Sequence, residues 1–314
     1  MSSEEKAMAV LKLYFGNKQP RIRWLQNEPD KSVWKVTVDH NKYVLKCSKK
    51  HRKAPIFSIL LQHELSQKGL PTPAVIPTIN KEVFVEDQSY HYFLTEYVKG
   101  STASIKERTK IIGDFHREAV LPRSLSMYRS KLVQVEHKSD WIAEYEYKLR
   151  CLKMWMGKYA LPRDMRHCIN MAEKCISISK RATLLDEHID EVNRKNLLTH
   201  GDFYSSNVLK SKKGKLWIID FERSGIDSPV KDLRFIMPDI ILSSYYETYF
   251  SRYPQGKRYE QIYYMDALFP HRLFTKLYIL IRKKKARRNL DQIKDIIGLE
   301  LEKERMIGEL RKYQ

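Results

Sequence analysis

The sequence predicts an α+β protein of two lobes: a small, antiparallel, β-rich N-terminal lobe over residues 1–97 and a larger, mainly helical C-terminal lobe over 98–314. Three observations carry that prediction. Short runs of β-branched and aromatic residues, separated by turn residues, fill most of the N-terminal third. Long stretches with helical spacing of apolar residues dominate after residue 103. One further pair of β-rich runs, near 208–219, interrupts the helical part around a glycine-containing turn.

In chain order, Lys35-Val36-Thr37-Val38 and Tyr43-Val44-Leu45-Lys46 alternate like paired strands about the turn Asp39-His40-Asn41. Residues 56–68 read as a helix, with Ile59, Leu60, His63 and Gln67 near one side. Val83-Phe84-Val85 is a short strand, and Tyr90 to Val98 is a strand leading into Lys99-Gly100-Ser101. Residues 103–118 form a helix whose apolar face holds Ile105, Ile111, Ile112 and Phe115, broken by Val120-Leu121-Pro122-Arg123-Ser124. Residues 140–159 and 163–187 read as two long helices split at Leu161-Pro162, with Trp141, Trp155 and Tyr159 as core rather than pocket residues. Ser228-Pro229-Val230-Lys231-Asp232-Leu233 starts another helix, and helices continue from 259 to 312.

Composition bounds the class. A chain of 314 residues with 42% hydrophobic and 31% charged residues is globular and long enough to bury substantial cores. The start Met1-Ser2-Ser3-Glu4-Glu5-Lys6 has no signal-peptide pattern, and Leu277-Tyr278-Ile279-Leu280-Ile281 is far too short to span a membrane. Cys47, Cys151, Cys168 and Cys175 have no paired C-x-x-C spacing and read as reduced thiols, which points to the cytoplasm.

The chemistry is concentrated in His200-Gly201-Asp202-Phe203-Tyr204-Ser205-Ser206-Asn207 and Leu216-Trp217-Ile218-Ile219-Asp220-Phe221-Glu222. Asp202 suits the acceptance of a proton from an attacking hydroxyl. Asn207, five positions on, and Asp220, thirteen further, suit the binding of Mg2+ on a triphosphate; a kinase catalytic loop has the same five-residue offset. Val208-Leu209-Lys210 and Leu216-Trp217-Ile218-Ile219 read as a hairpin about Ser211-Lys212-Lys213-Gly214-Lys215. A hairpin brings its ends together, so Asn207 and Asp220 should be neighbours.

On these motifs, HGDFYSSN and IDFE, the chain resembles the aminoglycoside phosphotransferase/choline kinase-like superfamily, over nearly its whole length. FLTEYVKGS, GDFHRE and SPVKDLRF make it most similar to spore-coat CotS-type kinase-like proteins. The resemblance implies a protein-kinase-like fold, ATP and Mg2+ as cofactors, and a helical lobe that recognises the acceptor. A kinase needs a strand-borne lysine on the phosphates and a glutamate to position it. Lys46 closes an apolar strand, and Glu64 on the next helix is its best partner; Glu82 and Glu86 flank another strand and are poorer ones. The phosphate-covering segment corresponds to Leu25 through Trp34 and has no G-x-G-x-x-G. Without glycines it is less able to lay backbone N–H groups on phosphate. The superfamily often uses Ser or Asn there, which makes Ser32 the candidate contact. Backbone groups of Glu96 and Val98 are the adenine candidates. By the same resemblance His116 is structural, and Asp232 braces the catalytic loop while also suiting a helix N-terminus.

Charge helps to choose among acceptors. With 58 Lys+Arg against 38 Asp+Glu the formal charge is +20, which repels a polycationic aminoglycoside at long range. Glu144, Glu146, Asp186, Glu187, Asp190 and Glu191 are the main acidic residues of the helical lobe. A neutral or anionic hydroxyl acceptor, a small molecule or a saccharide, suits the field better; spore polymers and spore-coat proteins enter as acceptor or partners only through the resemblance, as does the spore coat as a location. Arg282-Lys283-Lys284-Lys285-Ala286-Arg287-Arg288 reads as a solvated helix face or a contact for an anionic partner. Nucleic acid is disfavoured, because no stacking motif accompanies the charge. The reading is an ATP- and Mg2+-dependent phosphotransferase acting on a hydroxyl; the alternative, sustained by the glycine-poor segment, is a catalytically weak scaffold or coat-assembly protein.

Overall fold

The computed structural model describes residues 3–28, 31–49, 55–159, 161–234, 236–242 and 245–310. Eleven strands occur among them: β1 (Arg21–Glu28), β2 (Lys31–Val38), β3 (Asn41–Lys49), β4 (Val75–Ile76), β5 (Val85–Glu86) and β6 (Tyr90–Glu96) come first. They are followed by β7 (Gly100–Thr102), β8 (Leu198–Thr199), β9 (Val208–Ser211), β10 (Leu216–Ile218) and β11 (Gly225–Ile226). Helix α1 (Ser3–Phe15) precedes the first sheet, α2 (Pro55–Gln67) lies between β3 and β4, and α3 (Ile105–Glu118) follows β7. The architecture is mixed, with an antiparallel sheet near the N-terminus and helices thereafter, as the sequence predicts.

The chain divides into two compact units. The first comprises 1–103, 122–130 and 205–224; the second comprises 104–121, 131–204 and 225–314. The β9–β10 hairpin therefore belongs with the first unit rather than with the helical part. The cause is local: β9 pairs with β7 on one side and β10 on the other, so backbone hydrogen bonds tie the hairpin to the end of the first sheet's chain. Gly100 permits this approach, because a Cβ there would meet the Lys210 carbonyl oxygen at 2.6 Å.

In the first unit the sheet order is β1-β2-β3-β6-β4, all antiparallel, with β5 also on β6. Side chains alternate between its faces. One face carries Trp34, Val36, Leu45, Cys47, Tyr92 and Leu94 and is covered by α1 through Ala7, Leu11 and Tyr14. The other packs Phe93 and Val75 against Ile59 of α2. Neither α1 nor β1 is evident in the sequence reading. Leu25 through Trp34 is strand on both sides: Glu28 pairs with Lys31, so the connection consists of Pro29 and Asp30, which lie outside the described residues.

In the second unit α3 begins with a capping box. Ser104 accepts from the Glu107 amide, and Glu107 accepts from the Ser104 amide at 2.9 Å. Such caps contribute about 1 kcal/mol. Residues Lys138–Tyr159 and Met165–Arg181 form two long helices, and a break at Ala182 separates the latter from Thr183–Lys195. The core joins Leu152, Trp155, Met165 and Cys168 to Leu273, Leu277, Ile293 and Ile297. Trp141 is fully buried, as expected of a core residue. The basic run is not a helix face: Arg282 ends the helix His271–Arg282 and Lys283, Lys284 and Lys285 form the exposed turn after it.

Candidate active site

Most of the candidate residues lie in the first unit, where the register of the sheet decides which face each one uses. Lys46 on β3 pairs with Val33 on β2 and Phe93 on β6, so it projects from the face opposite α1. Its Nζ is 3.5 Å from Asp220 Oδ1. Asp220 follows β10 and has a positive φ of 70°, a left-handed conformation that Asp tolerates better than most residues. The hairpin works as its sequence predicts: the Ile219 amide donates to the Asn207 carbonyl at 2.9 Å, which sets Asn207 beside the residue preceding Asp220.

A second lysine reaches the same carboxylate. Lys31 Nζ is 3.6 Å from Asp220 Oδ2 and 2.6 Å from Glu222 Oε1. Both lysine side chains are largely buried, 10% exposed for Lys31 and 15% for Lys46. The sequence reading quotes Glu222 within IDFE without a role and does not single out Lys31. The available signal was period two: Lys31, Val33 and Lys35 share a face of β2.

Two expectations about neighbouring residues need correction. Ser32 pairs with Cys47, and Cys47 with Tyr92, so it faces α1 and lines a cavity of about 440 Å³ with Trp34, Cys47 and Tyr92. It is on the opposite side of the sheet from Lys46, because a strand turns successive side chains to opposite faces. Glu64 does not meet Lys46 among the described residues; its Oε1 accepts from Ser124 Oγ at 2.8 Å, and the recorded carboxylate partner of Lys46 is Asp220. The helix α2 presents Glu64 to the 123–128 turn of the same unit.

Glu96 ends β6, and Val98 follows two residues on, beyond the strand. The Glu96 amide donates to the Ala74 carbonyl at 3.0 Å and its carboxylate accepts from the Ala74 amide at 3.3 Å. Both residues line a cavity of about 490 Å³ with Asn41, Tyr43, Tyr97 and Trp217. The Tyr43 side chain also packs with the α1-covered cluster, and Lys42 joins the lining.

Asp202 belongs to the second unit, where its loop is held by buried hydrogen bonds. Asp232 Oδ2 accepts from the His200 amide at 2.6 Å, and Oδ1 accepts from the Gly201 amide at 2.7 Å. His116 Nε2 lies 3.1 Å from Oδ2, and its Nδ1 lies 2.8 Å from Tyr249 Oη. Asp232 and His116 are almost completely buried. Gly201 has a φ of 75°, a conformation open to glycine, and the Asp202 amide lies 3.3 Å from His200 Nδ1. The helix that carries Asp232, Pro229–Leu233, is capped by Ser228 Oγ on the Val230 amide.

The residue after that helix anchors a charged network. Arg234 donates twice to Asp266 Oδ1, at 2.9 Å and 2.6 Å, and to Glu144 Oε1 at 2.7 Å. Burial opposes ionisation of Asp266, yet the Arg234 guanidinium holds its carboxyl well below the usual range. Burial likewise acts against Glu144, and Arg234, Lys148 and Lys231 together keep it well below its ordinary value. Two buried imidazoles stay neutral: burial pulls His188 down to about 4 and, with Arg234 nearby, His271 down to about 3.

The antiparallel sheet followed by helices, and the pairing of a strand lysine with the aspartate after a hairpin, define a kinase-like architecture. The profile of the phosphotransferase enzyme family matches residues 25–261, and the chain belongs to that family. Solved structures with a similar fold include an aminoglycoside phosphotransferase from Alicyclobacillus acidocaldarius, at 14% identity and a TM-score of 0.69, covering 97% of this chain and 95% of that one. A spectinomycin phosphotransferase solved with ADP and spectinomycin matches at 12% identity and a TM-score of 0.61, over 96% of this chain and 98% of its own. A microcompartment-associated aminopropanol kinase matches at 14% identity and a TM-score of 0.51, over 96% and 95%. No helix among the described residues is long and apolar enough to cross a membrane.

Proposed function

We propose that this chain transfers the γ-phosphoryl group of ATP, with Mg2+, to a hydroxyl of a small molecule or saccharide. The observation that carries the reading is the meeting of Lys46 with Asp220, beside Asn207, in a member of a phosphotransferase family. Asp220 and Asn207 are hard oxygen donors of the kind that suit Mg2+, which usually takes one or two carboxylates and completes its shell with phosphate and water. Asp220 already draws two ammonium groups, so Mg2+ bound there would share the carboxylate with them or displace them. Mg2+ would neutralise charge that develops on the phosphates.

Lys46 would hold the α- and β-phosphates, and the backbone of Glu96 and Val98 the adenine edge. Glu64, held by Ser124, has the part of positioning Lys46 only if it exchanges partners when nucleotide binds. Asp202 would orient the acceptor hydroxyl and take its proton, with Asp232 fixing the loop that carries it. Positioning and electrostatics supply most of the catalysis in such transfers.

Net charge of +20 argues against a polycationic acceptor and for a sugar, polyol or anionic hydroxyl compound. The exposed turn Lys283-Lys284-Lys285 is the first candidate for an anionic partner. A spore-coat acceptor rests on the FLTEYVKGS, GDFHRE and SPVKDLRF segments alone. The test is a Mg2+·ATP-dependent transfer screen over sugars, polyols and aminoglycosides with Asp202→Asn as the control. Wild type should phosphorylate a neutral or anionic acceptor, and Asp202→Asn should lose on the order of 100-fold or more in turnover with nucleotide binding retained. A wild-type chain that binds no nucleotide would replace this reading with the scaffold.

A further inference from the structure

We propose that Lys31 is a second phosphate-binding lysine, supplying from a side chain the positive charge that a glycine-rich loop would supply from its backbone. The inference rests on the reading of Lys46 and Asp220 as the nucleotide end of a phosphotransferase site.

Sheet register comes first. Lys31 opens β2 two residues before Val33, and Val33 is the partner of Lys46 on β3. Residues two apart on a strand share a face, so Lys31 and Lys46 project from the same side of neighbouring strands. Their ammonium groups converge on one carboxylate, 3.6 Å and 3.5 Å from the two oxygens of Asp220.

Burial comes second. A lysine without a task at a strand end carries its ammonium group into water. Lys31 does the reverse: its side chain is only 10% exposed and Nζ lies 2.6 Å from Glu222. Glu222 is two residues beyond Asp220 and thus holds Lys31 over the aspartate.

The third observation is the connection between β1 and β2. With Glu28 paired to Lys31, only two residues join the strands, and neither is glycine. The sequence from Leu25 to Trp34 holds no glycine, and Pro29 has no N–H to offer a polyphosphate. A lysine acts on phosphate as a point charge and needs no particular backbone geometry.

The charge balance fits this use. Lys31 and Lys46 against Asp220 and Glu222 are neutral together. A divalent cation on Asp220 would leave the group with an excess of positive charge, which a polyphosphate offsets and a nucleoside does not.

Calorimetry on the full chain tests the proposal with Mg2+·ATP, Mg2+·ADP and adenosine, for wild type, Lys31→Met, Lys31→Arg and Glu222→Gln. Lys31→Met should weaken ATP and ADP at least tenfold and leave adenosine within twofold. Lys31→Arg should recover most of the loss. Glu222→Gln, which releases Lys31 without removing it, should stay within a fewfold of wild type. Unchanged ATP and ADP binding in Lys31→Met overturns the role of Lys31. So does tighter binding, which would make Lys31 a competitor of the metal for Asp220. A loss in Glu222→Gln equal to that in Lys31→Met would assign the effect to the ion pair and also overturn it. Wild type that binds neither adenosine nor ATP removes the nucleotide site itself, an outcome distinct from wild-type binding that Lys31→Met leaves untouched.

Discussion

Replacing Asp232 with Asn should loosen the 200–202 loop and cost about 3 kcal/mol of stability. Asp232 is fully buried and accepts three hydrogen bonds: the His200 amide at 2.6 Å, the Gly201 amide at 2.7 Å and His116 Nε2 at 3.1 Å. A carboxylate has only acceptors, whereas an amide must turn an NH2 group toward one side. If the NH2 faces Gly201, the Gly201 amide loses its acceptor. If it faces Oδ2's present partners, His116 can adapt: its Nε2 can accept, and its Nδ1 can donate to Tyr249 Oη, which lies 3.1 Å from Tyr263 Oη and can redirect its own proton. The His200 amide has no such alternative. One buried backbone donor is therefore stranded in either orientation. Hydrogen bonds to a charged group contribute about 1.5–3 kcal/mol each, and the remaining bonds lose their charge assistance. Asp232→Ala should cost more, because it removes the acceptor from all three. The assays are denaturant unfolding and amide hydrogen exchange at His200 and Gly201. Equal stability together with unchanged exchange of both amides would refute the reasoning.

Two further outcomes are expected. Asp220→Asn should weaken Mg2+·ATP by tenfold or more and bring its affinity close to that measured in excess chelator; equal dependence on Mg2+ in wild type and variant counts against the metal assignment. Stability should also fall as pH drops from about 6.5 toward 4. His188 and His271 ionise at about 4 and about 3 when folded, against 6.5 when unfolded, so in that window the unfolded chain binds more protons than the folded one. Each contributes a slope of about 1.4 kcal/mol per pH unit, and His188→Gln should remove about half of the combined slope. A stability profile flat from pH 7 to 5 in denaturant titrations would contradict the buried neutral state.

Short-range features were legible in the sequence, and the reason is that each is decided by neighbours in the chain. The β9–β10 hairpin is written in two β-rich runs around a glycine turn, and it brings Asn207 to Asp220 as expected. The helix read over residues 103–118 is α3, whose start the Ser104–Glu107 capping box fixes locally. The class of fold followed from the change of periodicity near residue 103. What the sequence left open was decided by contacts between distant segments. Whether Ser32 or Lys31 turns toward Lys46 depends on the register of β2 against β3, and a shift of one residue would exchange them. Glu64 has the right spacing for Lys46, but the turn that supplies Ser124 is 60 residues away and takes its carboxylate. Asp232 is expected to brace the catalytic loop only through the family resemblance; which groups it holds is decided when His116 and the 200–201 amides converge on it from separate elements. Local patterns fix which residues can act; the pairing of strands and the burial of charge fix which of them meet.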